Sequence, residues 1–325
     1  MIWVVWRQQR AQLITLLALL VVGGGVLVAL GSSMVSYVDS HGLQVCLANG
    51  METNSLCRKG VDDFQQAWFD RMKAGQLFIT VLPVLVGMFC GAPLFARELE
   101  QGTHVLAFTQ SVSRVRWMVS KFAVAALPAL VVVLALQLLV EWWVGAAGAM
   151  GPLATGPFFY LTFDGSGTAP VAYTLFAFSL GMFVGAASRR TLVAMTVTLA
   201  AFAVVRIALF TVRRFLLPAQ RVVSDDPTEP AAGRTSLVVH YGFLDAKGAQ
   251  VPTSPNYNTN CGSTSATPTT TDYATCYRQH GLAKSFADVI PPDAAGTLHL
   301  VDSGIFVGLA VLLVLATGWA VRRQA

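Results

Sequence analysis

Charged side chains are scarce in this sequence. Aspartate, glutamate, lysine and arginine make up 12% of the 325 residues, whereas they make up about 25% of an ordinary soluble domain. Hydrophobic residues make up 54%, and long stretches carry no charge at all. Such a chain has too few polar side chains to cover its apolar surface. The composition therefore excludes a water-soluble globular fold and predicts that lipid is the solvent.

The motifs of several enzyme classes are also missing. There is no Gly-x-x-x-x-Gly-Lys-Ser/Thr phosphate loop, no His-Glu-x-x-His and no Gly-x-Ser-x-Gly. The five histidines are scattered, so neither a metal site nor a cofactor is predicted. No basic patch is interleaved with aromatic residues, which leaves no signal for nucleic acid. We therefore expect that the chain is not an enzyme and hydrolyses no nucleotide itself.

Six segments are long and apolar enough, or nearly so, to cross a bilayer, which takes about 20 helical residues. They are Ala11–Gly31, Ala74–Ala96, Phe122–Trp143, Pro170–Ser188, Thr191–Val212 and Ser303–Val321. The first is too long for the apolar core of a signal peptide and is interpreted as a retained helix. Only two arginines separate the fourth segment from the fifth, which predicts a tight helical hairpin. The predicted fold class is an all-α polytopic membrane protein with six transmembrane helices.

The distribution of basic residues predicts the orientation. With the N-terminus inside, the cytoplasmic pieces are 1–10, 97–121, 189–190 and 322–325, and they hold ten of the 22 basic residues but two of the 17 acidic ones. Short cytoplasmic loops accumulate Lys and Arg, so both termini are predicted to be cytoplasmic. Arg213, Arg214 and Arg221 argue the other way, but long translocated loops largely escape this rule.

This orientation divides the chain into five parts. They are an elbow segment with the first helix (1–31), an outer loop (32–73), helices two to five with a cytoplasmic loop at 97–121 (74–212), an outer segment (213–302), and the last helix with its tail (303–325). Within the outer segment, Thr235–Leu244 alternates weakly and predicts a strand, and Asn256–Tyr273 has the composition of an irregular loop.

The cysteines fall into pairs that agree with this division. Cys46 and Cys57 lie in the first outer segment, and Cys261 and Cys276 lie in the second. Exported thiols tend to oxidise, and the spacings match no zinc signature, so two local disulfides are predicted. The alternative is four free or metal-binding thiols. Cys90, inside the second helix, is interpreted as a small packing residue.

Two charged residues fall within or near predicted transmembrane helices. Glu141 lies near the end of the third helix, and Arg206 interrupts the fifth. A charge in the membrane usually faces a bundle interior or a cavity, so these two are candidates to pair with each other. Alternatively, both reach out to the membrane interface. So few buried ionisable groups argue against a proton-coupled carrier.

Glycines four residues apart occur in three of the predicted helices. The pairs are Gly87 with Gly91, Gly181 with Gly185, and Gly304 with Gly308. Such pairs allow helices to approach closely, and we expect close packing within one subunit rather than a dimer interface.

The cytoplasmic loop 97–121 contains the chain's only predicted cytoplasmic carboxylates, Glu98 and Glu100. On physical grounds alone it is an interfacial connector. However, the sequence around this loop resembles actinobacterial permeases of ABC-2 type ABC transporters. The resemblance lies in the run Gly91-Ala-Pro-Leu-Phe-Ala-Arg-Glu-Leu-Glu-Gln-Gly-Thr103, which is continued by Thr109-Gln-Ser111 and Arg114-Val-Arg-Trp117. An Arg-Glu-x-Glu-x-Gly-Thr run follows the second helix in that family. The six-helix layout and the N-terminal Trp/Arg/Gln segment are also similar.

The resemblance implies a permease subunit of an ATP-driven exporter in the bacterial plasma membrane. Its partners would be a separate ABC ATPase subunit, a second permease copy or a paralogue, and membrane lipid. The loop between helices two and three would couple the permease to the ATPase, through Arg97, Glu98, Glu100, Gly102 and Thr103. Residues 1–12 would form an amphipathic elbow helix or, alternatively, an aromatic anchor. The competing hypothesis is a membrane-anchored sensor or scaffold that acts through its outer segment.

Overall fold

A computed structural model describes residues 2–48, 55–101, 114–233, 235–252 and 270–323. The chain divides into two compact units. The first unit comprises Met1–Ala154, Phe159–Leu209 and His299–Ala325, and the second comprises Thr155–Phe158 and Phe210–Leu298.

The helices are as follows, in chain order. They are α1 (Ile2–Ser40), α2 (Gln44–Ala48), α3 (Ser55–Val86), a π-helical turn (Gly87–Gly91), α4 (Pro93–Glu100), α5 (Arg114–Ala146), α6 (Tyr160–Asp164), α7 (Ala169–Ser188), α8 (Thr191–Val212), α9 (Thr270–Gln279) and α10 (Ala295–Arg323). Within the described residues, six stretches are long and apolar enough to cross a membrane: Gln9–Ser40, Cys57–Glu100, Arg116–Ala146, Ala169–Ser188, Thr191–Phe215 and Pro292–Arg322. The predicted all-α polytopic membrane fold is confirmed.

The segment 32–73 is mostly helical rather than the loop expected from the sequence. Helix α1 continues to Ser40, and α3 already begins at Ser55. Phe64, Trp68 and Met72, spaced by four residues, are buried, while all the charged residues of this part of α3 except the half-buried Lys73 are exposed. An amphipathic period of this kind forms a helix without a continuous apolar run, which is why a search for apolar runs misses it.

The pairing predicted for Cys46 with Cys57 is confirmed. The disulfide joins α2 to the start of α3 across a separation of 11 residues, with the two Cα atoms 5.6 Å apart. Cys261 lies outside the described residues, so its pairing with Cys276 stays a prediction. Cys90 is a buried free cysteine, as expected.

The main apolar core of the first unit lies between α1, α3 and α5. Leu27 and Met34 of α1, Ile79 of α3, and Leu136 and Trp143 of α5 belong to it, and all are nearly or fully inaccessible to solvent. A second cluster joins α7 to α8 and α10 through Phe176, which stacks on Phe202 and meets Phe306 edge-on.

The second unit contains a four-stranded antiparallel sheet, whereas the sequence predicted only one strand there. The strands are β1 (Gln220–Ser224), β2 (Leu237–Leu244), β3 (Gln250–Val251) and β4 (Lys284–Ile290), in the order β1-β4-β2-β3. The predicted strand 235–244 corresponds to β2. Most of the predicted irregular loop 256–273 lies outside the described residues, but residues 270–273 belong to α9.

One ion pair crosses the sheet between β1 and β4. Arg221 and Asp288 are directly opposite in the register, and the guanidinium donates two hydrogen bonds to the carboxylate, at 2.7 and 2.8 Å. This pairing holds the pKa of Asp288 below its ordinary value. His240, from β2 on the other side, lies 3.7 Å from the same carboxylate.

Candidate coupling site

The candidate coupling loop starts at the end of α4, and the segment before this helix is packed closely against α7. A Cβ added to Gly87 would lie 2.5 Å from the backbone oxygen of Ala177, and one added to Gly91 would lie 2.6 Å from that of Phe178. No side chain fits at such distances, so the π-helical turn and α7 are in backbone contact.

Gly181 and Gly185 make the same kind of contact from the side of α7. Two of the three glycine pairs singled out in the sequence therefore face each other within one subunit. The third pair, Gly304 and Gly308 of α10, has no atom of the described chain within 4 Å of an added Cβ. It takes no part in close packing among the described helices.

Glu98 joins α4 to α5. Its carboxylate forms an ion pair with Lys121, whose side chain is only 3% exposed. The Lys121 ammonium also lies 4.5 Å from the centre of the Trp117 ring, and that ring lies 5.1 Å from the ring of Phe95. A lysine this deeply buried requires a counter-charge. The ion pair and the aromatic contact therefore close the base of the loop, where it leaves α4 and returns through α5.

Glu100 joins α4 to the hairpin formed by α7 and α8. One carboxylate oxygen accepts hydrogen bonds from the backbone N–H of Thr191 at 3.1 Å and from its hydroxyl at 2.8 Å. The first N–H groups of a helix have no partner within the helix, and a negative charge there complements the helix dipole. Glu100 thus caps the start of α8. The turn before it is short, as the sequence predicted, and Arg189 adopts a left-handed conformation with φ of 54°.

The other residues assigned to coupling have different surroundings. Arg97 is exposed at the end of α4. Gly102 and Thr103 lie outside the described residues. The sequence suggested that all five face an ATPase, whereas the structure gives both carboxylates partners within their own chain. Residues 2–48, 55–101, 114–233, 235–252 and 270–323 contain no group of three or more side chains able to hold a metal ion.

The model of one protein family, ABC-2 membrane transporter related, matches residues 17–214. The chain belongs to this family. The match extends from α1 through α8 and includes the loop region with Glu98 and Glu100. No curated protein and no solved structure matches the chain.

This ABC-2 family member is thus a multi-pass membrane protein and a permease-like component of ABC transport. Residues 17–214 include the π-helical turn, α4 and the α7–α8 hairpin, so the contacts of the coupling site lie within the matched region. The sheet and α10 lie beyond it.

The ABC-2 family member also contains a buried polar cluster between α6, α7, α8 and α10. Arg206 pairs with Asp164 at 2.5 Å, and its guanidinium lies 3.9 Å from the centre of the Tyr173 ring. The Tyr173 hydroxyl donates a 2.6 Å hydrogen bond to Asp302, a fully buried residue of α10. The pairing of Arg206 with Glu141, considered from the sequence, is therefore wrong: Arg206 points into the bundle toward a different acid.

Glu141 has its own partners on α5 and in the connection to α7. Its carboxylate accepts hydrogen bonds from the Gln137 side-chain amide at 2.9 Å and from the backbone N–H of Gly167 at 2.8 Å. Gln137 also donates to the backbone oxygen of Gly167 at 2.6 Å. These bonds hold the 165–168 turn against α5.

Sequence reasoning missed Asp164 and Asp302 because they were placed in outer segments. A signal was nevertheless present. Asp164 is the only acidic residue between Glu141 and Asp225, and Asp302 is the only acidic residue after Asp293. A lone acid in so apolar a stretch is expected to be buried and partnered. The number of buried ionisable groups is therefore larger than the sequence suggested.

Proposed function

We propose that this chain is the transmembrane permease subunit of an ATP-driven exporter, and that a separate ATPase subunit hydrolyses the ATP. The observation that carries the proposal is the pair of carboxylates at the end of α4. Glu98 and Glu100 connect the start of the loop after α4 to α5 and to α8, respectively. The family match supports it, because that family comprises membrane components of ABC transport.

The contacts around α4 suggest how movement would spread. The ATPase would dock on the loop that follows α4 and displace it when the ATPase closes on ATP. The Glu98–Lys121 ion pair would carry the displacement to α5, and the Glu100–Thr191 hydrogen bonds would carry it to the start of α8. The glycine contacts would carry it to α7. Helices are stiff, so a shift at one end moves the rest of each helix.

The predicted orientation and partners belong to the same proposal. The start of α1, the end of α4 and the start of α5 line one cavity, so these three helix ends lie on one side of the bundle. The excess of basic residues in these pieces supports a cytoplasmic location for that side. The membrane would be the bacterial plasma membrane. The second half of the transmembrane pathway would come from another copy of the chain or from a paralogue.

The test combines co-purification with a distance measurement. Tagged protein, extracted in mild detergent, is expected to bring an ATPase with it. Spin labels at the exposed positions Val119 on α5 and Leu192 on α8 report whether ATP changes the separation of these helices. We expect the change to be largely lost in Glu100→Gln, because the neutral amide is a weaker cap for α8. Asp63→Asn, which removes an exposed acid of α3, is the matched control.

The outcomes separate the two parts of the proposal. If no ATPase co-purifies under conditions that preserve known ABC complexes, the permease assignment fails. If the ATPase binds but Glu100→Gln leaves the ATP-dependent distance change at the level of Asp63→Asn, the coupling role of Glu100 is wrong.

A second candidate function rests on a cavity in the second unit. This cavity has a volume of about 660 Å³, and its lining includes Tyr241, Phe243, Tyr277, Phe286 and Pro227. A pocket of this size with an aromatic lining suits a small apolar ligand, which favours a sensor that acts through this unit. The test is a photoreactive apolar probe on the full chain. Crosslinks to the cavity that Tyr277→Ala abolishes, with no co-purifying ATPase, would favour the sensor over the permease.

A further inference from the structure

A cavity of about 350 Å³ opens in the first unit where α1 begins, α4 ends and α5 begins. Its polar lining comes from all three helices and includes Gln9, Gln12, Arg97, Glu98 and Lys121. Its size falls within the usual range for ligand sites, which is about 300–1,000 Å³.

One side-chain atom in this lining, the Oε1 atom of Gln9, has no hydrogen-bond partner among the described residues and is inaccessible to solvent. The whole Gln9 residue is only 8% exposed. A buried polar atom without a partner is destabilising, because it has lost its hydrogen bonds to water. The lining therefore offers an acceptor to a polar ligand.

The charge of the cavity is positive. Lys121 is matched by Glu98, whereas Arg97 has no acidic partner among the residues that the structure describes. A guanidinium forms paired hydrogen bonds with phosphate oxygens, so the cavity favours a phosphate group. The acceptor on Gln9 would then take a hydroxyl that belongs to the same ligand.

One wall of the cavity is apolar and open. Phe89, in the π-helical turn, lines the cavity and is 58% exposed, and Pro93 and Leu94 continue the same wall. A freely soluble anion gains no binding energy from an apolar surface, whereas an acyl chain is stabilised by packing against it. Because α1 and α5 begin and α4 ends around it, the cavity lies at one end of the bundle, where a membrane-spanning bundle meets the lipid headgroups.

We propose that this cavity binds an anionic phospholipid whose headgroup carries hydroxyls, such as glycerol or inositol. The phosphate contacts Arg97, a headgroup hydroxyl donates to Gln9, and an acyl chain lies along Phe89. The bound lipid occupies the junction between α1, α4 and α5, next to the Glu98–Lys121 ion pair.

The test measures lipid binding to the purified full-length chain, without ATPase, by native mass spectrometry. We expect phosphatidylglycerol to bind about tenfold more tightly than phosphatidylcholine, because the choline group adds a cation that Arg97 repels and has no hydroxyl to donate to Gln9. Arg97→Gln is expected to reduce this preference. Arg10→Gln removes a cation from an exposed position at the same end of α1, outside the cavity, and is expected to keep it.

A second variant tests the hydroxyl. Gln9→Leu roughly keeps the size of the side chain and removes the acceptor, so it is expected to weaken the binding of phosphatidylglycerol relative to that of phosphatidic acid, which has no headgroup hydroxyl to lose a partner. Each variant is first checked for a single peak in size exclusion.

Several results would overturn the proposal. They are equal binding of phosphatidylcholine and phosphatidylglycerol, an unchanged preference in Arg97→Gln, and displacement of the lipid by millimolar inorganic phosphate. The last result would identify a site for small soluble anions instead. An unchanged preference in Gln9→Leu would refute the assigned hydroxyl contact.

Discussion

Replacing Glu98 by Gln is expected to destabilise the protein more than its partly exposed position suggests. The glutamate itself is 19% exposed, but its partner Lys121 is 3% exposed. The substitution leaves a buried ammonium without its counter-charge, and breaking a buried pair in this way costs about 3–5 kcal/mol. Since water reaches the glutamate side of the pair, we expect a cost somewhat below that range, about 2–3 kcal/mol.

The assay is thermal unfolding of the purified protein in one detergent. At about 2.1 cal/mol/K per residue, the entropy of unfolding of a 325-residue chain is about 0.7 kcal/mol/K, so a loss of about 2–3 kcal/mol corresponds to a fall in Tm of roughly 3–4 °C. The double variant Glu98→Gln with Lys121→Met removes both charges. Replacing a buried ion pair by apolar groups is often close to neutral, so the double variant is expected to recover at least about 1 kcal/mol relative to Glu98→Gln.

The double-mutant cycle tests whether Glu98 and Lys121 interact in the folded protein. If the effects of the two single substitutions add to within about 0.5 kcal/mol, the residues do not interact in the folded protein, and the ion pair at the base of the loop is refuted. Lys121→Met alone is the required fourth corner of the cycle. We expect it to cost less than Glu98→Gln, because the remaining carboxylate has some access to water.

Three further predictions concern other parts of the chain. Gly91→Ala is expected to lower the free energy of unfolding by about 1–3 kcal/mol, because the new Cβ would meet the backbone of Phe178. Gly25→Ala is the control and should cause no loss, because no atom of the described residues lies near that position. Equal Tm values for the two variants would contradict this prediction. Cys46→Ser should lower the free energy of unfolding by about 2–4 kcal/mol, and a reducing agent should lower the Tm of the parent protein but not of the variant. Asp288→Asn should speed amide hydrogen exchange in β1 and β4 at pH 7. Because Arg221 lowers the folded-state pKa of Asp288, the stabilisation is present above the ordinary carboxyl pKa of about 3.9 and is lost as the pH falls through the lower, folded value. Parent and variant should therefore exchange alike at the most acid pH, and a difference that persists there would count against the ion pair.

The transmembrane helices could be predicted because their signal is local. The fifth predicted segment, Thr191–Val212, has the same bounds as α8. The prediction was poorest for the 32–73 segment, where α1 and α3 extend beyond the apolar runs. Their buried residues recur every three or four positions among charged ones, so the relevant signal was periodicity rather than mean hydropathy.

The partners within the candidate site could not be predicted in the same way. Glu98 and Lys121 are 23 residues apart, and Arg206 and Asp164 are 42 apart. Which residues meet depends on how the helices pack, and a single sequence does not give that geometry. The sequence therefore pointed to Glu98, Glu100 and Arg206 as unusual, but it did not show that their partners lie in the same chain.

The backbone contact between the π-helical turn and α7 has a consequence for how the bundle can move. Side chains that interdigitate can change rotamer and let two helices slide in small steps, but Gly87, Gly91, Gly181 and Gly185 have no rotamers to change. These helices therefore move together as one rigid block. Any change of shape must occur elsewhere in the bundle, for example at α8, which is mostly exposed along its length and is held at its start by Glu100 and further along by the Arg206–Asp164 ion pair.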